Sequence, residues 1–524
     1  MSSRPTPAKR GNVEDIYPLT PLQRGLLFHT LFAPDSGIYV EQLGYTIEGE
    51  LDEAAFRRAW QTVFDRHPVF RTAFVIEDLK EPLQLVRPRI DVPWIDEDWR
   101  DVSRADQEAR LASLSADHRD RPFALDRPPL TRMALVRLSA STYKFFWTFH
   151  HVLLDGWSVA MVLREVEVFY DALRQGREAT LPRPRPFRDL IAWFKKQDLS
   201  AAESFWRNLL EGFEAPTPLA IDAREGVSPP EGSDSQRRFG TERLEIPATK
   251  TADLQGFARR HNLTLNTVVQ GAWAILLSRY GGTDDVVYGA TSSGRPADLP
   301  GSESMVGLFI TMLPVRARVS EQSSVLSLLK SLQGQLVNQR EYEYAPLVDI
   351  HGWSDVPRAT PLFESAFVFE NFPVQPFSDV KGAGLSVRED VPSSRSNYPL
   401  MVVAAPGERL SLRVDYDASR FRPEAVRRML AHFGRILEEA VANPDGRVSD
   451  LSMLSEPERV QFEAWNDTAA AYSHEGPVHQ LFEMQAARTP DAVAVTGPAG
   501  QLTYHALNAR ANQLARYLIG QSRT

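Results

Sequence analysis

The sequence predicts an α/β chain made of two mixed helix–strand halves, and three observations carry that reading. Helical periodicity alternates with short apolar, aromatic or β-branched runs along most of the chain. A stretch at 213–240, poor in periodic apolar positions and rich in Pro, Gly, Ser and Asp, separates two regions with the same mix of elements. At 524 residues the chain exceeds what one hydrophobic core serves, so two or three domain-sized units are expected.

The elements follow in order. Residues 1–13 read as a disordered tail. Thr20-Pro21-Leu22-Gln23 opens a helix: Thr20 as N-cap, Pro21 at the first helical position, Gln23 completing a capping box, with an end near Leu31. A second helix follows Asp52, with Ala55, Phe56, Ala59, Trp60, Val63 and Phe64 on one face. Lys144 to Phe149 reads as a buried aromatic strand. After it, Ser158 caps a helix whose apolar positions run from Val159 to Leu173, with Gly176 as its stop. The Pro/Arg segment Leu181 to Pro186 looks like a domain edge, and 213–240 a long crossover. In the second half, Thr264 and Ser324 cap helices, Asp285–Ala290 and Leu410–Tyr416 read as strands, and Pro423–Val441 is a long amphipathic helix. The stretch 451–476 reads as a polar, irregular linker. From Val478 to Leu518 a helix–strand–helix pattern resumes, too short for a mature α/β domain.

Composition narrows the function. With 43% hydrophobic residues, including 27 Phe, 14 Tyr and 10 Trp, disorder is excluded as the main state. Cys is absent, which excludes disulfides, thiolate metal sites and a cysteine nucleophile. The net charge of −9 argues against nucleic acid as the main partner. No signal-peptide pattern and no run of 18 apolar residues is found, so the expected location is the cytoplasm, away from membrane. No G-x-S-x-G elbow, phosphate loop or G-x-G-x-x-G fingerprint occurs.

The most informative string is His150-His151-Val152-Leu153-Leu154-Asp155-Gly156-Trp157, set between the aromatic strand and the capped helix. A histidine there can act as a base or hydrogen-bond a reacting amine. Asp155 can orient His151 or pair with an Arg to stiffen the loop, and Gly156 lets backbone approach a ligand. A plain strand-end His pair with satisfied hydrogen bonds explains the spacing equally well. Metal is disfavoured, because adjacent His on a strand point to opposite faces and no HExxH or Cys cluster completes a site.

His150-His151-…-Asp155-Gly156 is similar to the HHxxxDG signature of condensation domains of nonribosomal peptide synthetases. Further segments resemble that family's motifs in its own order: Tyr17 to Gln23 with Leu26 to His29, Arg66 to Phe74, Trp193 with Phe205-Trp206, Met305 to Arg316, and Pro361 to Pro373. The resemblance covers about 14–450. Leu502 to Ala515 resembles the first core motif of adenylation domains, with Ala506 where the usual Glu would be.

The resemblance implies two chloramphenicol-acetyltransferase-like lobes forming a V-shaped pseudo-dimer with a central tunnel. It places the first lobe at 14–185, the second at 186–450, a linker at 451–476 and the truncated start of an adenylation domain at 477–524. The implied reaction is amide formation between a donor peptidyl thioester and an acceptor aminoacyl thioester. Both ride on 4'-phosphopantetheine arms delivered by upstream and downstream peptidyl carrier proteins. No intrinsically bound cofactor and no metal is implied, and the excised piece would be monomeric beside the adenylation domain of its own module. His151 would contact the attacking amine, the backbone N–H near Gly156 would meet the oxyanion, and His150 would be structural. Asp155 would pair with Arg71. Trp157 and Asn397 are candidates for the tunnel lining, Trp157 equally for the core, while Phe309, Met312 and Phe363 read as core. The His pair speaks against a heterocyclisation domain, and a single His-His against a dual epimerisation/condensation domain. The opening segment resembles that of domains taking a donor ending in a D-residue, but L-donor domains share much of it, so both stay open. Two rivals stand beside this reading: an acyltransferase of the same superfamily using free acyl-CoA, and a catalytically silent docking module that recruits a partner enzyme.

Overall fold

The computed structural model describes residues 13–76, 79–221, 239–371, 384–390, 395–470, 476–498 and 500–521. Residues 1–12 of the expected 1–13 tail and most of the 213–240 crossover therefore lie outside the described residues. The chain divides into two compact units, the first ending at Ser455 and the second beginning at Glu456.

The first lobe is organised by the strand Thr142–His150. Its alternating Phe145, Trp147 and Phe149 face one core, where they meet Phe56, Trp60 and Phe64 of the helix Glu53–Arg66 and Val162, Val166 and Tyr170 of the helix Gly156–Arg174. Trp60 and Trp147 stand edge-on at 4.9 Å. Each such fully buried side chain is worth roughly 1.5–3 kcal/mol of transfer free energy. The sheet runs Ser386–Glu389, Val40–Glu48, Thr142–His150, Thr131–Arg137, Trp94–Asp98. All neighbours are antiparallel except the last pair.

The second lobe has a six-stranded sheet in the order Thr311–Arg318, Asp285–Ser292, Ser365–Phe369, Leu400–Ala405, Leu410–Asp417, Phe239–Ile246. The strand Ser365–Phe369 is parallel to both of its neighbours. The helices Leu265–Gly281 and Pro423–Ala442 cover one face, and every residue from Thr267 to Leu277 is buried. On the other face, Trp206 and Leu210 of the helix Leu199–Leu210 pack with Leu313 and Phe363.

Two segments of the second half belong to the first. Ser386–Glu389 adds an edge strand to the first sheet, with Ser386 opposite Glu48, and Asp390 pairs with Lys144 of that sheet. Val306 sits in the first core. A second lobe running unbroken from 186 to 450 is thus corrected: the chain crosses back twice, because the first sheet would otherwise leave the Val40–Glu48 edge unpaired.

Local expectations meet mixed outcomes. Thr20, Thr264 and Ser324 cap helices as expected, the Thr20/Gln23 capping box is complete, and Asp52 proves to be the cap of the helix that follows it. Ser158 is not the cap of its helix; Asp155 is, accepting the Ser158 N–H at 2.7 Å. The stretch 451–476 is not wholly irregular, since Glu456–Asn466 is helical. The second unit also contains the helix Val478–Arg488, a hairpin of Val493–Gly497 with Gly500–Thr503 where one strand was expected, and the helix Tyr504–Gln521. No helix among the described residues is long and apolar enough to cross a membrane.

Candidate active site

The aromatic strand ends at His150, and the chain turns through 151–155 into the helix Gly156–Arg174. The two histidines are held in opposite ways, as strand alternation requires. His150 is 1% exposed. Its Nδ1 accepts the Val152 N–H at 3.1 Å, so Nε2 carries the proton and donates to Thr30 Oγ1 at 3.1 Å. Burial, and then the neighbouring His151, push its pKa down to about 3. This imidazole is a neutral core group.

His151 lies on the wall of a cavity of ≈ 2020 Å³ lined by residues of both lobes. Its backbone N–H donates to the Tyr39 carbonyl at 2.7 Å. Its Nδ1 lies 2.7 Å from the Leu154 carbonyl oxygen. A carbonyl only accepts, so Nδ1 bears the proton, and in the neutral ring the lone pair is on Nε2. Nε2 has no hydrogen-bond partner among the described residues. This is the opposite tautomer to that of His150, one residue away.

Asp155 is fully buried and does not meet Arg71. Besides capping its helix through Oδ1, it accepts the Phe309 N–H on Oδ2 at 2.9 Å and faces Arg295 Nη2 at 3.4 Å. Arg295 in turn donates to Ser158 Oγ at 3.0 Å and to the Ser302 and Met305 carbonyls, with its guanidinium carbon 4.0 Å from the Phe309 ring centroid. Ser158 Oγ donates to the Gly307 carbonyl at 2.7 Å and accepts the Gly307 N–H at 3.1 Å. Asp155 and Ser158 thus staple the second half's 295–309 segment onto the His-pair loop. Gly294 makes this possible: its φ is +59°, and a Cβ there would lie 1.8 Å from the Phe309 carbonyl oxygen.

The Asp155–Arg71 pairing is therefore corrected. Arg71 closes a short turn, Pro68–Arg71, next to the small sheet Asp15–Pro18, Leu83–Val86, Thr72–Val75. It binds Glu14 and the Arg87 carbonyl through Nη1, and the Phe64 carbonyl through Nε at 3.3 Å. Its donors are engaged there, and a nearer arginine serves Asp155.

Gly156, at the first helical position, and Trp157 both line the cavity. Trp157 is half-buried rather than core, with Nε1 3.3 Å from the Glu303 carbonyl. Asn397 also lines it and accepts the Tyr39 hydroxyl on Oδ1 at 2.8 Å. Phe309 and Phe363 are buried as expected, whereas Met312 is half-buried on the cavity wall. Sequence reasoning missed Tyr39, Ser158 as a staple, and Arg295. The one available signal for Arg295 was its place between Gly294 and Pro296, a stiff turn presenting a long cation. Among the described residues no group of three or more His, Asp or Glu is placed to hold a metal.

Two sheet-and-helix lobes, the second lending an edge strand to the first sheet, line one cavity with the His151 imidazole on its wall. A family model described as the condensation domain matches residues 13–462, and the chain belongs to that family, the amide-forming domains of nonribosomal peptide synthetases. It is 47% identical over 511 residues to one of the linear gramicidin synthase proteins of Brevibacillus parabrevis, covering 97% of this chain and 6% of that protein. Against a second protein of the same synthase it is 45% identical over 509 residues, covering 97% and 10%. The chain thus spans a small fraction of the curated relatives it matches. Among solved structures, it is similar to the first condensation domain of the calcium-dependent antibiotic synthetase in complex with a substrate analogue. That match has a TM-score of 0.70 at 19% identity, over 85% of this chain and 100% of the other. The X-domain from teicoplanin biosynthesis also matches, with a TM-score of 0.70 at 25% identity, over 83% and 97%.

Proposed function

We propose that this domain joins a donor peptidyl thioester to an acceptor aminoacyl thioester, each tethered by phosphopantetheine to its own carrier protein, and that His151 meets the acceptor amine. The observation that carries the reading is the fixed tautomer of His151. Its Nδ1–H is committed to the Leu154 carbonyl, which turns the Nε2 lone pair into the group available to an N–H donor on the cavity wall.

The amine nitrogen attacks the thioester carbonyl, the C–N bond forms, and the C–S bond breaks to release the donor arm's thiol. One proton leaves nitrogen and one ends on sulfur. A thioester is already activated, so holding two tethered reactants in line supplies most of the acceleration. His151 then orients the amine or takes its proton. The Gly156 N–H, at the start of a 19-residue helix, is the candidate donor for the oxyanion. His150, Asp155 and Arg71 are structural supports, Asp155 through Arg295. Trp157 and Asn397 shape the cavity.

The segment 477–524 reads as the opening of the adjoining adenylation domain; similarity to the gramicidin synthase proteins over 97% of the chain supports this. The test supplies donor- and acceptor-loaded carriers and follows the longer carrier-bound peptide by intact mass. Product from wild type and none from His151→Ala is the expected result. No product from wild type with matched carriers would favour a docking module, and equal rates with free acyl-CoA would favour a carrier-independent transferase.

A further inference from the structure

Tyr39 combines three properties that no other described residue shares. It is a bulky residue in the left-handed region, with φ +61°, where only Asn262 joins it among the described non-glycine residues. Such a conformation is strained and persists only where surrounding contacts impose it. Those contacts are visible. The Tyr39 N–H donates to the Arg395 carbonyl at 2.9 Å, and its hydroxyl donates to Asn397 Oδ1 at 2.8 Å; both partners come from the second half. Its own carbonyl accepts the backbone N–H of His151 at 2.7 Å. The side chain is 8% exposed and lines the same cavity as His151 and Asn397.

We infer that Tyr39 is a positioning residue, through which the 395–397 segment sets the place of the His151 imidazole. The path is short: Asn397 amide, Tyr39 hydroxyl, ring and strained backbone, Tyr39 carbonyl, His151 N–H. Since the Nδ1–H bond to Leu154 fixes the ring relative to its own loop, the remaining freedom is displacement of the loop as a body. The Tyr39 carbonyl anchors that loop at its first residue. Releasing the hydroxyl lets the backbone relax from positive φ, carrying the carbonyl with it. The inference rests on the proposed role of His151.

The experiment compares wild type, His151→Ala, Tyr39→Phe, Asn397→Ala and the double variant in the two-carrier assay, together with Tm. Tyr39→Phe and Asn397→Ala should each lower kcat by about tenfold, with KM for both carriers within about twofold. The double variant should be no slower than either single, because both cut one path. Tm should hold in all of them. The imidazole 15N shifts of His151 should move in Tyr39→Phe. Wild-type kcat in Tyr39→Phe, multiplicative losses in the double variant, or losses that track a falling Tm would each overturn the inference. If His151→Ala itself turned over at the wild-type rate, the reading beneath it would fail instead.

Discussion

His150 and His151 are the same residue one position apart, and the fold gives them opposite chemistry. His150 is buried beside Thr30 and Phe123, donates from Nε2 and is kept neutral by burial. His151 faces the cavity, donates from Nδ1 and leaves Nε2 without a hydrogen-bond partner among the described residues. The difference arises from the acceptor each ring finds on its own loop. His150 Nδ1 receives a backbone N–H, whereas His151 Nδ1 meets a carbonyl. Strand alternation decides which ring is buried, and the turn after the strand decides which nitrogen is free.

The largest effect expected follows from breaking the cavity side. His151→Ala should reduce amide formation by about 10²–10⁴-fold, the range for losing a group that handles a proton, with a urea midpoint close to wild type. His150→Ala should do the reverse, lowering the midpoint more than the rate per folded molecule. If the two variants behave alike, the contrast is wrong.

Next comes the staple beneath the loop. Asp155→Ala leaves Arg295 buried without its carboxylate, and Arg295→Ala does the converse. Each should cost about 3–5 kcal/mol in denaturant unfolding. A double-mutant cycle sharpens the point. Asp155 with Arg295 should couple, while Asp155 with Arg71 should be additive within about 0.5 kcal/mol, since Arg71 belongs to the Glu14 and Phe64 cluster.

Much of this was legible in the sequence, and the limits are physical. Capped helices such as the one after Thr20, and the aromatic strand through Trp147, announce themselves through local chemistry. The HHxxxDG string located the loop. The identity of Asp155's partner was not legible, because it depends on a segment 140 residues further on that crosses between lobes. The strand Ser386–Glu389 was missed for the same reason: four residues carry little period-2 signal, and only the Val40–Glu48 edge makes them a strand. Tyr39 gave no sign, since nothing in its side chain predicts a positive φ. Ser158 was assigned as the cap because it precedes the apolar periodicity; Asp155, three residues earlier, holds that place.

A smaller effect probes the buried ring through pH. The folded protein holds the His150 pKa near 3, against about 6.5 in an unfolded chain. Below 6.5 the unfolded state takes up a proton that the folded state refuses. The contribution of His150 to stability is therefore complete above pH 6.5 and declines as pH falls toward 3, by up to about 1.4 kcal/mol per pH unit. His150→Asn keeps an acceptor for the Val152 N–H but does not titrate. Its stability should fall less steeply than that of wild type between pH 6.5 and 4, measured by urea unfolding at each pH. Equal slopes would mean that the ring is not held neutral.

The smallest effect lies at the rim. Trp157 keeps part of its surface open, and its N–H reaches the Glu303 carbonyl at 3.3 Å, a long bond beside solvent. Its ring lies 5.6 Å from the Arg295 guanidinium carbon. Trp157→Phe removes the N–H and retains an aromatic face for the arginine, so unfolding free energy should drop by less than about 1 kcal/mol. That loss should also add to the loss from His150→Asn, since Trp157 stands on the cavity wall and His150 is buried beside Thr30 and Phe123. Coupling beyond about 0.5 kcal/mol would show that the two faces of the strand end communicate. The separate treatment of His150 and His151 would then have to be replaced by a single cooperative loop.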